Sequence, residues 1–415
     1  MVVLQINKFF WLKGGSERYF FMVSDELESR GHQVIQFSME HPNNRPSPYA
    51  DYFVSRKDYE DSGPGRSALA QGFSFIRSRE AARNIRSLVR DHRPDVAHLH
   101  NIYHQLTPSI IVALREAGVP VVMTLHDYKL TCPNYDHFDG TEYCYRCRGG
   151  RFHQAALTKC NGGSFGRSAL LAVEAYWQRI SGVYGGVDRF IAPSRFMRER
   201  VAGAAGDIGI DADRVVYLPS YCPPADGSEA LSADERAVLD GLPERFVLYF
   251  GRVSVEKGLD TFMQAARALP DVEFVICGDG PRRATFEQSA PPNVRFTGYV
   301  NKPLLDRALA RATAVVLPAI WPENAPFTVI EAAAAGVPVV VSDMGGLPEM
   351  AEIVSGMVFP HGNAGELGRQ IKSLWDNPGE ARERGEAGRQ AAGSYFDKER
   401  HMESLEQIYG EVTKR

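Results

Sequence analysis

Two cations and two carboxylates in the second half of the chain have types and spacing suited to a phosphorylated, hydroxyl-rich ligand. Arg252 and Lys257 lie five residues apart just after the apolar run 246–250, and Glu323 and Glu331 bracket the start of a predicted helix. A guanidinium offers a fork of donors and an ammonium a point charge, a combination that suits a diphosphate. Carboxylates bind ribose hydroxyls in other doubly wound folds. The alternative is that these residues are ordinary surface charges.

The segment between the two glutamates predicts where that helix begins and ends. Pro326 is tolerated only in a first helical turn, and the alanines 332–335 favour helix. Gly336 is suited to follow a helix end. We therefore expect a helix that begins near residues 324–326 and ends at Ala335.

The beginning of that helix is a second candidate for binding phosphate. The amides of Phe327 and Thr328 would face outward from its positive end, and helix N-termini bind phosphate groups through such amides. Ala325 and Pro326 would lie beside the same group.

Glycine turns follow other apolar runs of the second half. Gly251 allows the chain to leave its strand sharply, and Gly280 belongs to a Gly-Asp-Gly-Pro turn. A third turn contains Gly345 and Gly346. The turn with Gly280 lacks the third glycine of a dinucleotide fingerprint, which argues against an NAD-dependent oxidoreductase.

The elements that must position these residues follow a repeated β–α pattern. Short Val/Ile/Leu-rich runs without alternation are typical of parallel strands covered on both faces, and helix-period segments separate them. The predicted strands are 2–6, 33–37, 96–99, 121–125, 189–192, 215–218, 246–250, 272–277, 294–297, 314–317, 339–342 and 357–359. The sequence predicts an α/β fold of two Rossmann-like, doubly wound domains that face a cleft.

The domain boundaries are predicted from composition. The polar segment 231–243, with Pro219, Pro223 and Pro224 before it, is interpreted as the connection between domains. The N-terminal domain is then 1–220, with an insert at 128–165, and the C-terminal domain is 221–395. Residues 396–415 form a separate amphipathic helix with Met402, Leu405, Ile408 and Tyr409 on one side, which needs another surface to cover.

Bulk properties narrow the class of protein. The chain has 415 residues, 44% hydrophobic and 24% charged, as in ordinary globular proteins. A net charge of −4 argues against a nucleic-acid partner. No apolar run reaches the roughly 18 residues of a spanning helix, and the first residues are interpreted as a strand rather than a signal peptide. We expect the protein in the cytoplasm, or peripheral on the inner face of the cell membrane.

The combined motifs resemble the family-four retaining glycosyltransferases of GT-B fold, of the bacterial cell-surface polysaccharide type. The motifs that carry the resemblance are Phe-Gly-Arg-Val-Ser-Val-Glu-Lys-Gly, Gly-Asp-Gly-Pro, Gly-Tyr-Val, and two glutamates separated by seven residues and followed by Ala-Ala-Ala-Ala-Gly-Val-Pro-Val-Val. The similarity covers nearly the whole chain. It implies that the last helix crosses back to the N-terminal domain.

The resemblance also assigns roles to the residues of the C-terminal half. Arg252 and Lys257 would bind the diphosphate of a nucleotide-sugar donor, Glu323 hydroxyls of the sugar, and Glu331 the ribose. The amides of Phe327 and Thr328 would bind the distal phosphate. Tyr299 and Val300 would lie against the base, and Gly251 and Gly280 would also contact the donor.

In the N-terminal half the resemblance points to four positions. Gly14 and Gly15 would approach the diphosphate, where a Cβ would hold the backbone away. His126 would lie near the transferred sugar, and Arg195 would reach the donor. A β–α turn and a structural histidine are the alternatives.

Three further residues of this half carry expectations from sequence. Ser16 is a plausible N-cap for the first helix. Of His98 and His100, which alternate along a strand, one is expected to be buried and the other to face the cleft.

The implied activity is retaining transfer of a hexosyl group from a UDP- or GDP-sugar to a glycan or lipid-linked acceptor of cell-surface polysaccharide synthesis. The resemblance implies that no catalytic metal is needed, and no Asp-x-Asp pair stands at a predicted strand end. The mechanism would be front-face, with catalysis chiefly by stabilising the leaving diphosphate. The alternatives are a nucleotide-sugar epimerase of the same fold and a non-catalytic nucleotide-sugar-binding protein.

Four cysteines crowd into the insert at 128–165. Their number and spacing are typical of a four-thiolate metal site, so a structural zinc is expected at Cys132, Cys144, Cys147 and Cys160. Free thiols, two disulfides and an iron–sulfur cluster are the alternatives.

Basic residues accompany the cysteines and form a second cluster on the predicted helix 77–90. Those of the insert are Arg146, Arg148, Arg151 and Lys159. Both clusters could contact an anionic acceptor or a lipid surface, and a solvated charged face is the alternative.

Overall fold

A computed structural model describes residues 1–57, 75–221 and 230–414 of the chain. The chain divides into two compact units. The N-terminal unit consists of residues 1–139, 144–219 and 399–415, and the C-terminal unit of residues 140–143 and 220–398. Pro223 and Pro224, part of the predicted connection, lie outside the described residues.

The N-terminal unit is built on a six-stranded parallel sheet of order β2-β1-β3-β4-β5-β6. Its strands are buried runs rich in Val, Ile and Phe, as a sheet covered on both faces requires. Because β2 and β3 lie on opposite sides of β1, the order of strands reverses between β1 and β3. The strands are β1 Val2–Ile6, β2 Gln33–Phe37, β3 Val96–Leu99, β4 Val121–Thr124, β5 Arg189–Ala192 and β6 Val215–Tyr217.

Helices cover this sheet in the described part of the unit. The first, Gly15–Ser29, ends before Gly31, whose φ of 83° suits glycine. The α-helices are Gly15–Ser29, Arg79–His92, Ser109–Glu116, His153–Thr158, Phe165–Ser181, Arg195–Ala202, Ala205–Ile208 and Lys398–Thr413. The 3-10 helices are Ala50–Tyr52, Val183–Gly186 and Ala212–Arg214.

The C-terminal unit contains a second six-stranded parallel sheet, of order β12-β11-β10-β7-β8-β9. Here the strand order reverses between β7 and β10, which pair directly through Val315 and Leu248. In open α/β sheets such a switch point is where ligands bind, beyond the carboxyl ends of the strands. The strands are β7 Phe246–Phe250, β8 Phe274–Cys277, β9 Val294–Gly298, β10 Ala312–Leu317, β11 Val339–Ser342 and β12 Met357–Phe359.

The helices of the C-terminal unit include one that the sequence interpretation missed. Residues 231–243 are not a bare connection, because Ala233–Asp240 forms a helix. Ser232 and Glu235 make a capping box there, which fixes the helix start despite the polar composition. The α-helices are Ala233–Asp240, Leu259–Ala268, Arg283–Ser289, Lys302–Leu309, Phe327–Ala334, Leu347–Ile353, Ala364–Asp376 and Pro378–Tyr395, with a 3-10 helix at Val255–Lys257.

The last helix, Lys398–Thr413, packs within the N-terminal unit. Met402, Leu405 and Tyr409 are fully buried, whereas Ile408 is only half-buried. The buried face includes His401 as well, a polar residue that an apolar pattern does not single out. Among the described residues, the helices include none with the length and apolar character needed to cross a membrane.

Candidate functional site

The loops after β7 and β10 meet at the switch point of the C-terminal sheet. The amide of Ile320 donates to the carbonyl of Glu256 at 3.0 Å. Gly258 has a φ of 68°, and a Cβ there would lie 1.9 Å from the carbonyl oxygen of Pro318. A glycine is therefore required for the two loops to approach this closely.

This approach brings Lys257 and Glu323 into contact. The Lys257 ammonium lies 2.6 Å from Oε1 of Glu323, whose carboxylate is buried. The indole N–H of Trp321 donates to the same oxygen at 2.9 Å, and Lys257 lies 5.0 Å from the centre of the indole ring. A buried carboxylate with a cation and a neutral donor beside it is held in one orientation, which suits the recognition of hydroxyl groups.

Trp321 is a site residue that the sequence interpretation missed. Its position two residues before Glu323, on the loop after β10, was the available signal. A tryptophan whose only polar atom points at a site carboxylate is part of that site.

Arg252 lies on the loop after β7, five residues before Lys257. Its side chain is exposed and makes no ion pair with the residues that the structure describes. The hydroxyl of Tyr249, a buried residue of β7, donates to the carbonyl of Arg252 at 2.7 Å and fixes the backbone there. The guanidinium is thus an exposed fork of donors on a backbone held by Tyr249.

Two glycines on the loop after β8 pack closely against the loop that carries Arg252. A Cβ on Gly278 would lie 1.9 Å from the carbonyl oxygen of Gly251, and one on Gly280 would lie 2.3 Å from that of Val253. Gly280 thus packs against the loop that carries Arg252, a role separate from the donor contact predicted for it.

The turn after β11 holds Glu323 from the opposite side. The amide of Gly346 donates to the carbonyl of Glu323 at 2.7 Å, and a Cβ on Gly345 would lie 2.1 Å from that oxygen. The weak Gly-Gly motif at 345–346 therefore supports the backbone of the site.

The helix Phe327–Ala334 begins one residue beyond the predicted range and ends one before Ala335, with Pro326 as its N-cap. Thr328 and Phe327 are half-buried in its first turn, after half-buried Ala325. Glu331 is buried on this helix, and its carboxylate lies 4.0 Å from the ammonium of Lys302. Lys302, one residue after the turn 298–301, is a neighbour that the sequence did not indicate.

The predicted contacts for the base lie at the end of β9. Tyr299 is 76% exposed, an unusual state for a tyrosine, and Val300 is half-buried against the core of the unit. An exposed ring at the carboxyl edge of the sheet is available to a planar ligand.

The glycine pair of the N-terminal unit stands at the start of the first helix. Gly14 is the N-cap, and both Gly14 and Gly15 are exposed. The prediction that Ser16 caps this helix is wrong, because the helix begins at Gly15 and the Ser16 hydroxyl donates to Glu17 instead. A Cβ on Gly14 would meet only Glu17, at 3.6 Å, so the fold itself does not demand a glycine there.

Arg195 is exposed at the start of its helix, whose N-cap is Ser194. Its guanidinium lies 5.8 Å from the ring centre of Tyr217. Arg195 and Gly14 therefore both lie beyond carboxyl ends of strands of the N-terminal sheet.

His126 follows β4 and is half-buried. Its Nε2 lies 2.9 Å from Nδ1 of His100. Burial lowers the pKa of His126 to about 3, so the ring is neutral at physiological pH. The expectation that either His98 or His100 faces outward is wrong: both are fully buried, because partners in the core satisfy both rings.

A buried ion pair lies beside this region and was not predicted. Lys129 and Glu174 approach to 2.7 Å with side chains 1% and 0% exposed, and His104 lies 3.1 Å from the same carboxylate. The pair joins the beginning of the cysteine insert to the helix Phe165–Ser181. Asp127, whose pKa is raised by burial, accepts a hydrogen bond from Tyr103 at 2.6 Å.

The four cysteines of the insert are free thiols in the structure, so the disulfide alternative does not hold. Burial, and then neighbouring Cys144 and Cys160, raise the pKa of Cys147 to about 12, while burial raises that of Cys132 well above its usual range. Such thiols stay protonated.

The prediction of a metal site depends on how closely these four thiols group. Among the described residues, no group of three or more His, Cys, Asp or Glu side chains is placed to hold a metal ion. The structural zinc at Cys132, Cys144, Cys147 and Cys160 stays a prediction, and metal analysis of protein purified without chelator tests it.

The basic residues of the insert and of the helix Arg79–His92 are partly paired. Arg146 lies 2.6 Å from Asp139, and Arg86 lies 2.6 Å from Glu116. These pairs agree with a solvated charged face, and contact with a lipid surface stays a prediction.

Comparisons with known proteins agree with the fold. Residues 14–220 match the model of the glycosyl transferase 4-like domain, and residues 234–391 match that of glycosyl transferases group 1. The chain is 32% identical over 183 residues to an alpha-D-kanosaminyltransferase of Streptomyces kanamyceticus, which covers 41% of this chain and 46% of that relative. It is 28% identical to a glycogen synthase of Mycobacterium tuberculosis over 95% of this chain and 91% of the relative.

Solved structures show the same architecture. Anabaena HepE, in a complex with UDP-glucose, superposes with a TM-score of 0.66 at 17% identity, covering 99% of this chain and all of that one. The two sheets and the two family matches define a glycosyltransferase of GT-B fold. The chain belongs to the family-four type, with a 4-like domain followed by a group 1 domain.

Proposed function

We propose that the protein is a retaining glycosyltransferase that takes a hexosyl group from a UDP- or GDP-sugar and passes it to a glycan or lipid-linked acceptor of cell-surface polysaccharide synthesis. The observation that carries the proposal is the contact of Lys257, Glu323 and Trp321 at the β7–β10 switch point. There a cation for phosphate and a carboxylate for hydroxyl groups stand side by side, as a nucleotide-sugar requires at the junction of its diphosphate and its sugar.

Each charged residue has a distinct task in this proposal. Arg252 and Lys257 neutralise the diphosphate as it leaves, and the first amides of the helix Phe327–Ala334 contact its distal phosphate. Glu323 holds hydroxyls of the sugar, and Glu331 holds the ribose. Transfer is then driven by stabilising charge on the leaving group and by orienting the acceptor. The acceptor hydroxyl attacks from the face that the diphosphate leaves, and an oxygen of that diphosphate accepts its proton.

The names of the relatives support a nucleotide-sugar donor. The neighbour HepE binds UDP-glucose, and the curated relatives transfer amino sugars or build a glucan by their names. The assignment of an acceptor from cell-surface polysaccharide synthesis rests on the sequence resemblance.

The substitution test concerns the two cations. Arg252→Ala and Lys257→Ala are each expected to lose roughly 2–4 kcal/mol of transition-state stabilisation, the effect of removing one preorganised donor. The measurement is kcat/KM for transfer, after a thermal-shift screen of UDP- and GDP-sugars has identified the donor.

Matched controls come from exposed cations of the same unit. Arg369 pairs with Glu366 and Lys372 with Asp376, both on the helix Ala364–Asp376. Arg369→Ala and Lys372→Ala should transfer as wild type does. Near-wild-type transfer by both site variants would refute the phosphate assignment.

Product analysis separates this proposal from its alternatives. A retaining transferase gives a glycoside whose anomeric configuration matches the donor, seen by NMR of the product. Conversion of the donor into a second nucleotide-sugar without acceptor would instead identify an epimerase. Binding without turnover would identify a non-catalytic protein.

A further inference from the structure

A continuous chain of buried hydrogen bonds connects the last helix to His126 within the N-terminal unit. The hydroxyl of Tyr409 lies 2.7 Å from Nδ1 of His98 and 3.4 Å from Nε2 of Gln5. The other amide atom, Oε1 of Gln5, lies 2.9 Å from Nε2 of His100, whose Nδ1 lies 2.9 Å from Nε2 of His126. At the end opposite His126, the chain of hydrogen bonds ends at Thr124, whose hydroxyl lies 2.7 Å from Nε2 of His98.

The rings along this chain are neutral. His98 and His100 are fully buried, and burial lowers the pKa of His98 to about 3 and that of His100 well below its usual value. A neutral imidazole has one N–H donor and one acceptor nitrogen. The direction of one hydrogen bond therefore fixes the direction of the next.

Gln5 sets that direction because its amide has a fixed donor and a fixed acceptor end. Its Oε1 can only accept, so Nε2 of His100 carries the proton and donates to it. Nδ1 of His100 is then the acceptor, and Nε2 of His126 must donate to it. The remaining nitrogen of His126, Nδ1, is left without a proton.

The Tyr409 hydroxyl is the partner of the other end of the Gln5 amide. Its oxygen accepts from the amide of Gln5 while its hydroxyl donates to His98. Burial raises the pKa of Tyr409 well above its usual value, so the hydroxyl keeps its proton. Rotation of the Gln5 amide by half a turn would reverse every bond from Tyr409 to His126.

We propose that Gln5 and Tyr409 are positioning residues that fix the proton of His126 on Nε2 and so present Nδ1 as a hydrogen-bond acceptor. The group that His126 recognises is then a hydroxyl donor, such as a sugar hydroxyl, and not a phosphate oxygen or a carbonyl. The last helix thereby controls the chemistry of a residue that is 283 positions earlier in the chain. This role for His126 in transfer rests on the proposed function, whereas the proton position does not.

The test is the tautomer of His126, measured without substrate by long-range ¹H–¹⁵N correlation on protein labelled with ¹⁵N-histidine. The resonances are assigned by their loss in His126→Gln. Wild type should show Nε2 protonated and Nδ1 bare. A wild-type ring protonated on Nδ1 would overturn the proposal.

Gln5→Leu should invert the tautomer. His100 then has no acceptor for an Nε2 proton, and a buried N–H without a partner is rarer than an acceptor without one. The proton moves to Nδ1 of His100, which donates to His126, so His126 carries its own proton on Nδ1. An unchanged tautomer in Gln5→Leu would contradict the proposal.

Two further variants keep the test decisive if Gln5→Leu does not fold. Tyr409→Phe should allow the Gln5 amide to rotate, so that both His126 tautomers are observed, and a single unchanged tautomer would count against the proposal. Leu405→Ala removes buried apolar packing from the same helix without touching the chain of hydrogen bonds. It should lose stability and keep the wild-type tautomer, and an inverted tautomer here would mean that packing, not the hydrogen bonds, sets the proton.

Activity separates this proposal from the proposed function. Gln5→Leu is expected to lose about tenfold or more in kcat relative to Leu405→Ala, the size of one misdirected hydrogen bond. Tautomer inversion with unchanged transfer would refute the positioning role and leave the proposed function intact. A wild-type protein that transfers no sugar would refute the proposed function while the tautomer result still stood.

Discussion

At the scale of residues, the Lys257 ammonium and the Glu323 carboxylate form an ion pair within the candidate donor site. The two side chains neutralise each other at 2.6 Å, with Trp321 bonded to the same carboxylate oxygen. A diphosphate would draw the ammonium towards itself and leave the carboxylate to hydroxyl groups. The indole stands beside both, so it should report the exchange.

Trp321 is therefore expected to respond when the diphosphate binds. UDP or GDP should change its fluorescence, because the charge of Lys257 lies 5.0 Å from its ring and moves on binding. Wild type is titrated and compared with Trp321→Phe and with Trp375→Phe, whose tryptophan stacks under Arg245 instead. The signal should vanish in Trp321→Phe and persist in Trp375→Phe. A signal that survives Trp321→Phe would place the ligand elsewhere.

Candidate site residues could be predicted from the sequence where both their charge and their position point to a ligand. Arg252 and Lys257 follow the end of β7, and Glu323 and Glu331 lie just before and within the helix Phe327–Ala334. Trp321 and Lys302 were missed because an aromatic or a lysine in a loop is ordinary until its neighbour is known. Their contacts are long-range, and spacing along the chain carries no record of them.

At the scale of elements, glycines decide how closely the loops of the site approach. Gly258 combines a φ of 68° with a Cβ position 1.9 Å from the Pro318 carbonyl oxygen. Gly362 has a similar φ of 73° and open space around its Cβ position. The two glycines therefore separate backbone conformation from loop contact.

Gly258→Ala is expected to be more harmful than Gly362→Ala. Both pay roughly 1 kcal/mol for the left-handed conformation, and Gly258→Ala adds about 1–3 kcal/mol of overpacking. Only Gly258→Ala should also weaken UDP or GDP binding, because it separates Lys257 from Glu323. Urea unfolding and nucleotide titration measure the two effects, and equal losses from both variants would contradict this account.

Elements with a strong local pattern were predicted to within two residues. The strands were found because their apolar runs are buried on both faces, as for β1, β7 and β11. The helix Ala233–Asp240 was missed because it has no buried residue and is defined by its capping box. The ion pair of Lys129 with Glu174 was missed because it joins elements 45 residues apart.

At the scale of the whole molecule, the histidines are distributed unevenly between the two units. Of the 11 histidines, only His361 belongs to the C-terminal unit. Burial lowers the pKa of His98 and His126 to about 3, and that of His104 and His401 to about 4. The C-terminal helix is part of this arrangement through His401, which bonds to Tyr19 and to the carbonyl of Pro219.

Acid should therefore unfold the N-terminal unit first. At pH values between the histidine pKa of the unfolded chain, near 6.5, and the lowered pKa values of the folded chain, the unfolded chain binds more protons than the folded one. The contribution of these neutral histidines to the free energy of unfolding is fully present above about pH 6.5. It is lost as the pH falls towards 4, by up to about 1.4 kcal/mol per pH unit for each buried histidine.

Hydrogen exchange at pH 7.5 and 5.5, with rates corrected for pH, measures this for each unit. Amides of β3 and β4 should lose protection at the lower pH, while those of β7 and β10 should keep it. Earlier loss of protection in β7 and β10 would contradict the account.

The most direct test of the central claim is calorimetric binding of UDP and GDP to wild type, Lys257→Met and Lys372→Met. The account predicts that at least one nucleotide binds wild type and Lys372→Met alike, and binds Lys257→Met at least about tenfold more weakly, as expected for the loss of one charge-assisted contact. Equal affinity in Lys257→Met and wild type would contradict the assignment of the β7–β10 edge as the donor site.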